Sequence, residues 1–150
     1  MKYSVVLFVL VLLVINCQPK TPAVQLTGGE EQVRDKLTGA WRMTDYMTVT
    51  NEGDSSTDER VQYKMYVDGS VMWGFESPAK YTEWFGYGTY NIEGDTLYET
   101  MLSGSWAFRQ AISNGGNFFR IAIDVTDSTY TQVIKGEEET TYESYVRIEN

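Results

Sequence analysis

Apolar and polar residues alternate with a period of two along several short segments of the chain. The clearest are residues 61–67, 71–75 and 119–125, in which every second side chain is aliphatic or aromatic. Because successive side chains of a β-strand point to opposite faces, this pattern predicts strands that each carry an apolar face. In the first segment that face comprises Val61, Tyr63, Met65 and Val67.

A single segment shows a helical pattern instead. Residues 30–37 begin with two glutamates and place Val33 and Leu37 four positions apart. Acidic residues at the start favour a helix through its dipole, and Gly39 is a suitable stop. We therefore expect a short helix just before the first strand.

Turn sequences divide the rest of the chain into short strands. Asp68-Gly69 is typical of a two-residue hairpin. Residues 51–59 are interpreted as a polar loop, residues 106–112 as a further strand, and residues 77–85, which include Pro78, as a longer connection. Tight turns join antiparallel neighbours, and a long meander closes because closure removes its exposed edges. The prediction is an all-β fold, an antiparallel meander of about eight to ten strands closed into a barrel behind a short N-terminal helix.

An uninterrupted apolar run precedes all of these elements. Residues 5–15 follow Lys2 and end two positions before Cys17, which is the only cysteine of the chain. A run of this length is typical of a signal peptide and is too short to span a bilayer comfortably. One alternative is an ordinary signal peptide followed by an incidental cysteine.

The sequence Val-Ile-Asn-Cys at residues 14–17 resembles the lipobox of bacterial lipoproteins. The resemblance implies that residues 1–16 are removed and that Cys17 carries acyl chains such as palmitate. Residues 17–29 contain two prolines, a glycine pair and few apolar side chains, so they are interpreted as a flexible tether. Residues 30–150 are expected to form one domain. We expect it in the bacterial cell envelope, held by its lipid in the outer membrane on the periplasmic or the exposed side.

The charge of the chain excludes one class of partner. The chain contains 12 basic and 21 acidic residues, for a net charge of −9. Removal of residues 1–16 deletes Lys2 and no acid, which leaves 11 basic and 21 acidic residues and a net charge of −10. Nucleic-acid binding requires a basic face, so we expect no nucleic-acid partner.

The residue inventory also restricts the chemistry. The chain has no histidine, and its one cysteine is assigned to the lipid. We therefore expect no metal site, no cofactor and no catalytic residues. The enzymatic alternative is a carboxylate-based hydrolase, but the densest acidic cluster, residues 137–139, lies in a predicted turn.

The start of the first strand carries a family likeness. Gly39-Ala40-Trp41, directly after the short helix, resembles the Gly-x-Trp signature of lipocalins. Residues 66–69 and 88–95, together with Trp73, resemble the lipocalin-like domains of uncharacterised bacterial lipoproteins, and the likeness covers roughly residues 33–149. It implies a lipocalin-like barrel.

The resemblance also suggests roles for particular residues. In lipocalins the signature tryptophan plugs one end of the barrel, and an arginine of the last strand packs over its ring. These roles would fall to Trp41 and Arg147, with Gly39 completing the signature. In the related fatty-acid-binding proteins an arginine of the final strand and a tyrosine bind a ligand carboxylate, which would involve Arg147 and Tyr145. The structural role of Arg147 is favoured, and the ligand role stays open.

Aromatic residues are dense between positions 63 and 108. Our first hypothesis is a membrane-anchored barrel that binds a small hydrophobic or amphipathic molecule in its interior. The candidate ligand contacts are Tyr63, Trp73, Phe75, Tyr90, Tyr145 and Arg147. Three aromatic residues of the predicted connection would cap the barrel mouth or contact a partner: Tyr81, Trp84 and Phe85. The alternative is a solid barrel that acts as an interaction module for another envelope protein, without a small-molecule ligand.

Overall fold

The computed structural model describes residues 28–77 and 82–148, and all structural statements below concern these two ranges. Cys17, the predicted signal peptide at 1–16, most of the predicted tether, and Tyr81 lie outside them. The described chain forms two helices and nine strands: α1 (Gly28–Leu37), β1 (Gly39–Thr50), β2 (Ser55–Thr57), β3 (Val61–Val67), β4 (Ser70–Ser77), β5 (Thr82–Glu93), β6 (Thr96–Gly104), α2 (Trp106–Gly115), β7 (Phe118–Val125), β8 (Thr129–Lys135) and β9 (Glu139–Arg147).

The strands form one antiparallel sheet that closes on itself. Their order is β2-β1-β3-β4-β5-β6-β7-β8-β9, and β1 also pairs with β9. The closing ladder runs from the pair Trp41 and Arg147 to the pair Thr50 and Glu139. This produces an eight-stranded barrel, to which β2 adds a short extra strand beside β1. The predicted all-β antiparallel barrel behind a short N-terminal helix is confirmed.

Trp41 closes the barrel at the end next to α1. Its side chain is fully buried, and its indole Nε1 donates a hydrogen bond to the carbonyl oxygen of Leu37 at 2.8 Å. The guanidinium carbon of Arg147 lies 4.2 Å from the centre of the indole ring. The tryptophan therefore joins the end of α1 to the core, and a cation–π contact covers its ring.

Three backbone carbonyls hold the guanidinium of Arg147 at this closed end. It donates hydrogen bonds to the carbonyl oxygens of Lys36, of Thr38 at 2.8 Å and of Asp127 at 2.5 Å. Gly39 has φ of +135°, and a Cβ at this position would lie 2.5 Å from Nη1 of the arginine. Both the backbone conformation and the close approach therefore require glycine. Arg147 links α1, the turn before β8 and the last strand.

The more polar face of strand β3 points into the barrel, and the apolar face that the sequence pattern predicts for the interior points outward. Gln62, Lys64 and Tyr66 are buried inside the barrel. The turn at Asp68-Gly69, with φ of +47° and +75°, pairs Tyr66 with Val71 of β4. Residues that pair across two strands point to the same side of the sheet. Because Val71 points into the barrel, Tyr66 and the alternate residues Gln62 and Lys64 point inward as well. The apolar set points outward, and its four side chains are 44% to 51% exposed: Val61, Tyr63, Met65 and Val67.

Residues 106–112 form a helix, which corrects the predicted strand. The hydroxyl of Ser105 accepts a hydrogen bond from the backbone N–H of Phe108 at 3.4 Å and caps the start of α2. Gly116, with φ of +88°, follows its end. Phe108 is buried and Ile112 packs against the core, so one face of α2 covers the barrel. These two residues are four positions apart, a spacing that fits both an alternating strand and a helix. The alternating pattern therefore did not distinguish the two, and the predicted strand was wrong.

Three predicted boundaries also move. The helix α1 begins at Gly28, two residues before the predicted start. The polar loop at 51–59 contains the short strand β2. The predicted connection at 77–85 is shorter, because β4 continues to Ser77 and β5 begins at Thr82, and these two residues pair with each other.

Candidate ligand-binding cavity

A cavity of about 420 Å³ lies beneath α2, at the end of the barrel away from the Trp41 plug. Small-molecule sites typically have volumes of about 300–1,000 Å³. Its wall is apolar and comprises Trp73, Phe75, Trp84, Met101, Phe108, Ala111, Ile112, Phe119, Ile121 and Ile134. Its floor is polar and comprises Gln62, Lys64, Glu99, Gln132 and Glu143, with Arg60 at the rim.

Aromatic rings form a continuous part of the wall. Trp73 stacks on Phe75 with the ring centres 6.1 Å apart, and Phe75 stacks on Trp84 at the same distance, with interplanar angles of 10° and 6°. Phe108 of α2 presents its edge to Trp73, with the ring centres 4.8 Å apart. Strands β4 and β5 therefore supply a row of nearly parallel rings, and α2 closes over it.

Lys64 of β3 is the centre of the polar floor. Its Nζ lies 3.0 Å from Oε1 of Gln132, 3.3 Å from Oε1 of Glu99 and 3.3 Å from Oη of Tyr66. Tyr66 donates to the same oxygen of Glu99 at 2.7 Å, and Tyr130 donates to Oε1 of Gln132. Lys64 and Glu99 therefore form a buried ion pair that neighbouring hydrogen bonds hold in place.

Glu143 of β9 organises the other half of the floor. Its Oε2 accepts hydrogen bonds from Nε2 of Gln132 and from Oη of Tyr145, each at 2.5 Å. The tyrosine oxygen in turn accepts from Nε2 of Gln62 at 2.7 Å. Gln132 joins the two halves, because its amide oxygen faces Lys64 while its nitrogen faces Glu143. One hydrogen-bond network therefore connects four strands of the barrel: β3, β6, β8 and β9.

Burial and charge set the protonation states of this network. Burial lowers the pKa of Lys64, but the negative charge of Glu99 leads the opposing effects, and the pKa lies above its ordinary value. Burial is also the main cause that raises the pKa of Tyr66, Tyr130 and Tyr145. At neutral pH Lys64 is therefore charged and the three tyrosines are neutral.

Arg60 occupies the rim of the cavity, where it forms an ion pair and its buried Nε has no hydrogen-bond partner among the described residues. Its Nη2 lies 2.8 Å from Oδ2 of Asp58. Its guanidinium carbon lies 3.7 Å from the centre of the Tyr46 ring and 4.8 Å from that of Phe75. The arginine thus stacks at the margin of the aromatic wall.

The structure places some of the predicted ligand contacts in the cavity. Trp73 and Phe75 line its wall. Trp84 lines it too, although it was predicted for the mouth, because it lies on β5 and faces inward. Tyr145 is buried outside the cavity lining, and its hydroxyl donates a hydrogen bond to Glu143 of the floor.

The other predicted contacts lie elsewhere. Tyr63 points out of the barrel and is 47% exposed, so its prediction as an interior ligand contact is wrong. Tyr90 is buried with its ring edge-on to Tyr66, outside the cavity lining. Arg147 lies at the closed end, so its alternative role as a carboxylate-binding residue of the cavity has no geometric basis. Phe85 points outward and is 53% exposed.

The polar floor is the part of the site that the sequence analysis missed. Four of its polar residues lie at inward positions of four strands: Lys64, Glu99, Gln132 and Glu143. From the sequence alone, polar residues of this kind are expected to face solvent. One signal was available for Lys64: the two-residue turn at Asp68-Gly69 sets the register of β3 against β4. Within the described ranges, no group of three or more Asp, Glu, His or Cys residues could hold a metal ion. Neither described helix is long and apolar enough to cross a membrane.

The closed meander, the Trp41 plug and the cavity beneath α2 define a lipocalin-like barrel. A lipocalin-like protein from Bacteroides uniformis ATCC 8492 has a similar structure, with a TM-score of 0.54 and 14% sequence identity over 75% of this chain and 99% of that one. An uncharacterized protein from Bacteroides eggerthii DSM 20697 has a TM-score of 0.49, with the same identity and coverage. No family model and no curated protein matches the chain. At this level of identity the first likeness shows the fold alone.

Proposed function

We propose that this protein is a lipid-anchored, lipocalin-like lipoprotein that binds a small hydrophobic or amphipathic molecule in the cavity beneath α2. The observation that carries the proposal is a cavity of about 420 Å³ with an aromatic wall and a buried polar floor. Small-molecule sites are typically clefts or cavities of this volume, with mainly apolar walls and a few polar groups that orient the ligand. A space of this size that is lined mainly by apolar side chains therefore favours binding of a small molecule.

The wall and the floor would contribute differently to binding. A ligand that buries about 250 Å² of apolar surface against the wall gains roughly 6 kcal/mol, at about 25 cal/mol per Å². Immobilising the ligand costs part of this gain. The hydrogen-bonding groups of the floor would then determine which molecules are accepted.

The floor favours binding over catalysis. Oε1 of Glu99 accepts from Lys64 and Tyr66, and Oε2 of Glu143 accepts from Gln132 and Tyr145. A glycosidase-type site needs one carboxyl group that acts as a proton donor. Two carboxylates that are both held as acceptors support a role in holding a ligand.

Native mass spectrometry of the whole chain purified from its own host tests the binding proposal. We expect a co-purifying small molecule that is lost in Ile134→Trp, because the larger side chain fills the cavity. Val61→Trp is the matched control, since Val61 points outward, and this variant should keep the molecule. If the parent carries no molecule, and 4-phenylbutan-1-ol binds equally to the parent and to Ile134→Trp, binding in the cavity is ruled out.

The lipid anchor is supported by the apolar run at 5–15 and by Cys17 directly after it. We expect Cys17→Ser to move the protein from the membrane fraction to the soluble fraction. Thr21→Ser, a change of similar size in the predicted tether, should leave it in the membrane fraction. Continued membrane association of Cys17→Ser would contradict the anchor.

A second candidate function, self-association, is favoured by an outer apolar face on β3, β4 and β5. We define this face by seven outward side chains that are 39% to 53% exposed: Val61, Tyr63, Met65, Val67, Met72, Phe85 and Tyr87. The strand pairings make them contiguous, since Met65 lies opposite Met72 and Met72 opposite Tyr87. Exposed apolar patches of this kind mark contact surfaces.

The size of the outer apolar face is consistent with a second copy of this chain as the partner. Half-exposed side chains of this type offer about 600 Å² together, so two faces in contact would bury roughly 1,200 Å², the lower end of a standard interface. Of the predicted partner contacts, Phe85 belongs to this face, whereas Trp84 lines the cavity.

Sedimentation equilibrium of the detergent-solubilised whole chain at about 100 μM tests this candidate. At this total concentration a dimer with a Kd of about 100 μM is half associated. Met72→Lys should shift the dimer to a monomer, whereas Phe118→Lys, which places the same charge on exposed β7, should not. A monomeric parent, or a Met72→Lys variant that is still dimeric, would exclude the outer apolar face as a dimer interface.

A further inference from the structure

The donors of the cavity floor are largely satisfied within the protein. The three N–H groups of Lys64 have three oxygens within 3.3 Å. The hydroxyl hydrogens of Tyr66, Tyr130 and Tyr145 go to Glu99, Gln132 and Glu143 respectively. Only the amides of Gln62 and Gln132 retain a second N–H each. The floor therefore offers a ligand no charged donor.

The acceptors of the floor are not satisfied to the same extent. Each carboxylate uses one oxygen in the network, Oε1 in Glu99 and Oε2 in Glu143. The second oxygen of each has no hydrogen-bond partner among the described residues. Both residues line the cavity. A carboxylate only accepts hydrogen bonds, so these two oxygens can take donors from an occupant of the cavity.

The charge of the floor points in the same direction. It contains one basic residue, Lys64, and two acidic residues, Glu99 and Glu143, for a formal charge of −1. A buried charge without a counter-charge is costly, so a cation at this position is favoured. At the rim, Nη2 of Arg60 pairs with Asp58, and the buried Nε of the same arginine has no hydrogen-bond partner among the described residues. This cation lies at the margin of the aromatic wall, whereas the two carboxylates lie in the floor.

The aromatic wall suits the same kind of occupant. Trp73, Phe75 and Trp84 form a row of nearly parallel rings above the floor. Such rings pack against a flat or aliphatic body, and their faces also attract a positive charge. The cavity has room for on the order of 14 water-sized groups at about 30 Å³ each. The occupant is therefore a compact molecule.

We infer that the ligand is a compact amphipathic amine, with its ammonium group at the free oxygens of Glu99 and Glu143 and its apolar body along the aromatic wall. This inference rests on the proposed ligand-binding function and specifies the class of ligand. It is the reverse of a carboxylate-ended ligand held by Arg147, whose guanidinium is engaged at the opposite end of the barrel.

A matched series of probes tests the inference: 4-phenylbutylamine, 4-phenylbutan-1-ol and 4-phenylbutanoic acid. Isothermal titration calorimetry would use the whole chain in phosphatidylcholine nanodiscs at neutral pH, with empty nanodiscs subtracted. Zwitterionic lipid avoids attraction of the amine to the bilayer. We expect the amine to bind at least about tenfold more tightly than the acid, with the alcohol between them.

The variant Glu143→Gln should reduce the preference for the amine over the acid to about a fifth of its parent value. Its amide oxygen can still accept from Tyr145 and Gln132, so the fold should persist, which thermal unfolding would verify. Glu93→Gln is the matched control, because Glu93 is exposed on β5, and its preference should equal that of the parent.

The possible failures are distinguishable. If none of the three probes binds, the proposed ligand-binding function fails together with this inference. If the alcohol or the acid binds as tightly as the amine, or if Glu143→Gln keeps the full preference, the ligand class is wrong while the binding function stands.

Discussion

The buried ion pair of Lys64 and Glu99 supports a sharp prediction about stability. Lys64→Met keeps a side chain of similar length but removes the ammonium group. Glu99 then loses its counter-charge at 3.3 Å and keeps one donor, the hydroxyl of Tyr66 at 2.7 Å. Gln132 loses the donor at 3.0 Å. The change therefore leaves a buried carboxylate without a cation.

The expected cost follows from this geometry. Removing one partner of a buried pair costs about 3–5 kcal/mol, mainly because the other charge stays buried. We expect about 3 kcal/mol here, because the hydroxyl of Tyr66 still compensates part of the carboxylate charge. The double variant Lys64→Met/Glu99→Gln removes both charges and keeps an amide acceptor for Tyr66. It should regain roughly 2 kcal/mol relative to Lys64→Met alone.

Urea denaturation followed by tryptophan fluorescence measures these free energies of unfolding, since urea does not screen charges. Lys135→Met is the matched control, because Lys135 is exposed on β8 and its loss should change stability by less than about 0.5 kcal/mol. A cost below about 1 kcal/mol for Lys64→Met, or additive effects in the double variant, would refute this account of the floor.

Three further changes have defined outcomes. Trp41→Ala should lower the free energy of unfolding by about 3–5 kcal/mol in the same urea assay, and a loss below about 1 kcal/mol would contradict the plug. Stability should fall as pH rises above 10, because the pKa values of Tyr66, Tyr130 and Tyr145 are raised above their ordinary 10.0 in the folded state and the unfolded chain therefore loses its protons first. Each tyrosine contributes up to about 1.4 kcal/mol per pH unit, so Tyr130→Phe should flatten the decline between pH 10 and 12, and an unchanged slope would be inconsistent with burial of its hydroxyl. Ser105→Ala should lower the free energy of unfolding by about 0.5–2 kcal/mol, because α2 loses its N-terminal cap. Thermal unfolding measures this change, and a stability equal to that of the parent would argue against the cap.

The strands and turns were predictable because their signals are local. Alternation located β3, β4 and β7, and Asp68-Gly69 marked a hairpin that the structure contains. Local signals failed where two periods coincide, as in α2, where Phe108 and Ile112 fit both a strand and a helix. They also failed for the orientation of β3, whose more apolar face lies outside. There the register imposed by the two-residue turn outweighed hydrophobicity.

The amino-acid sequence alone specified an all-β closed meander and the absence of histidine chemistry, because these depend on short-range patterns and on composition. The role of Trp41 as a plug was implied by the resemblance of Gly39-Ala40-Trp41 to the lipocalin signature. The ligand site depended on closure of the barrel. Lys64 meets Glu99 across 35 positions of sequence and Gln132 across 68, and polar residues so far apart come together only when β1 pairs with β9. The same closure turned an apparently solvent-facing lysine and two glutamates into a buried, acceptor-rich floor, since inward and outward positions are defined only once the sheet is curved and registered.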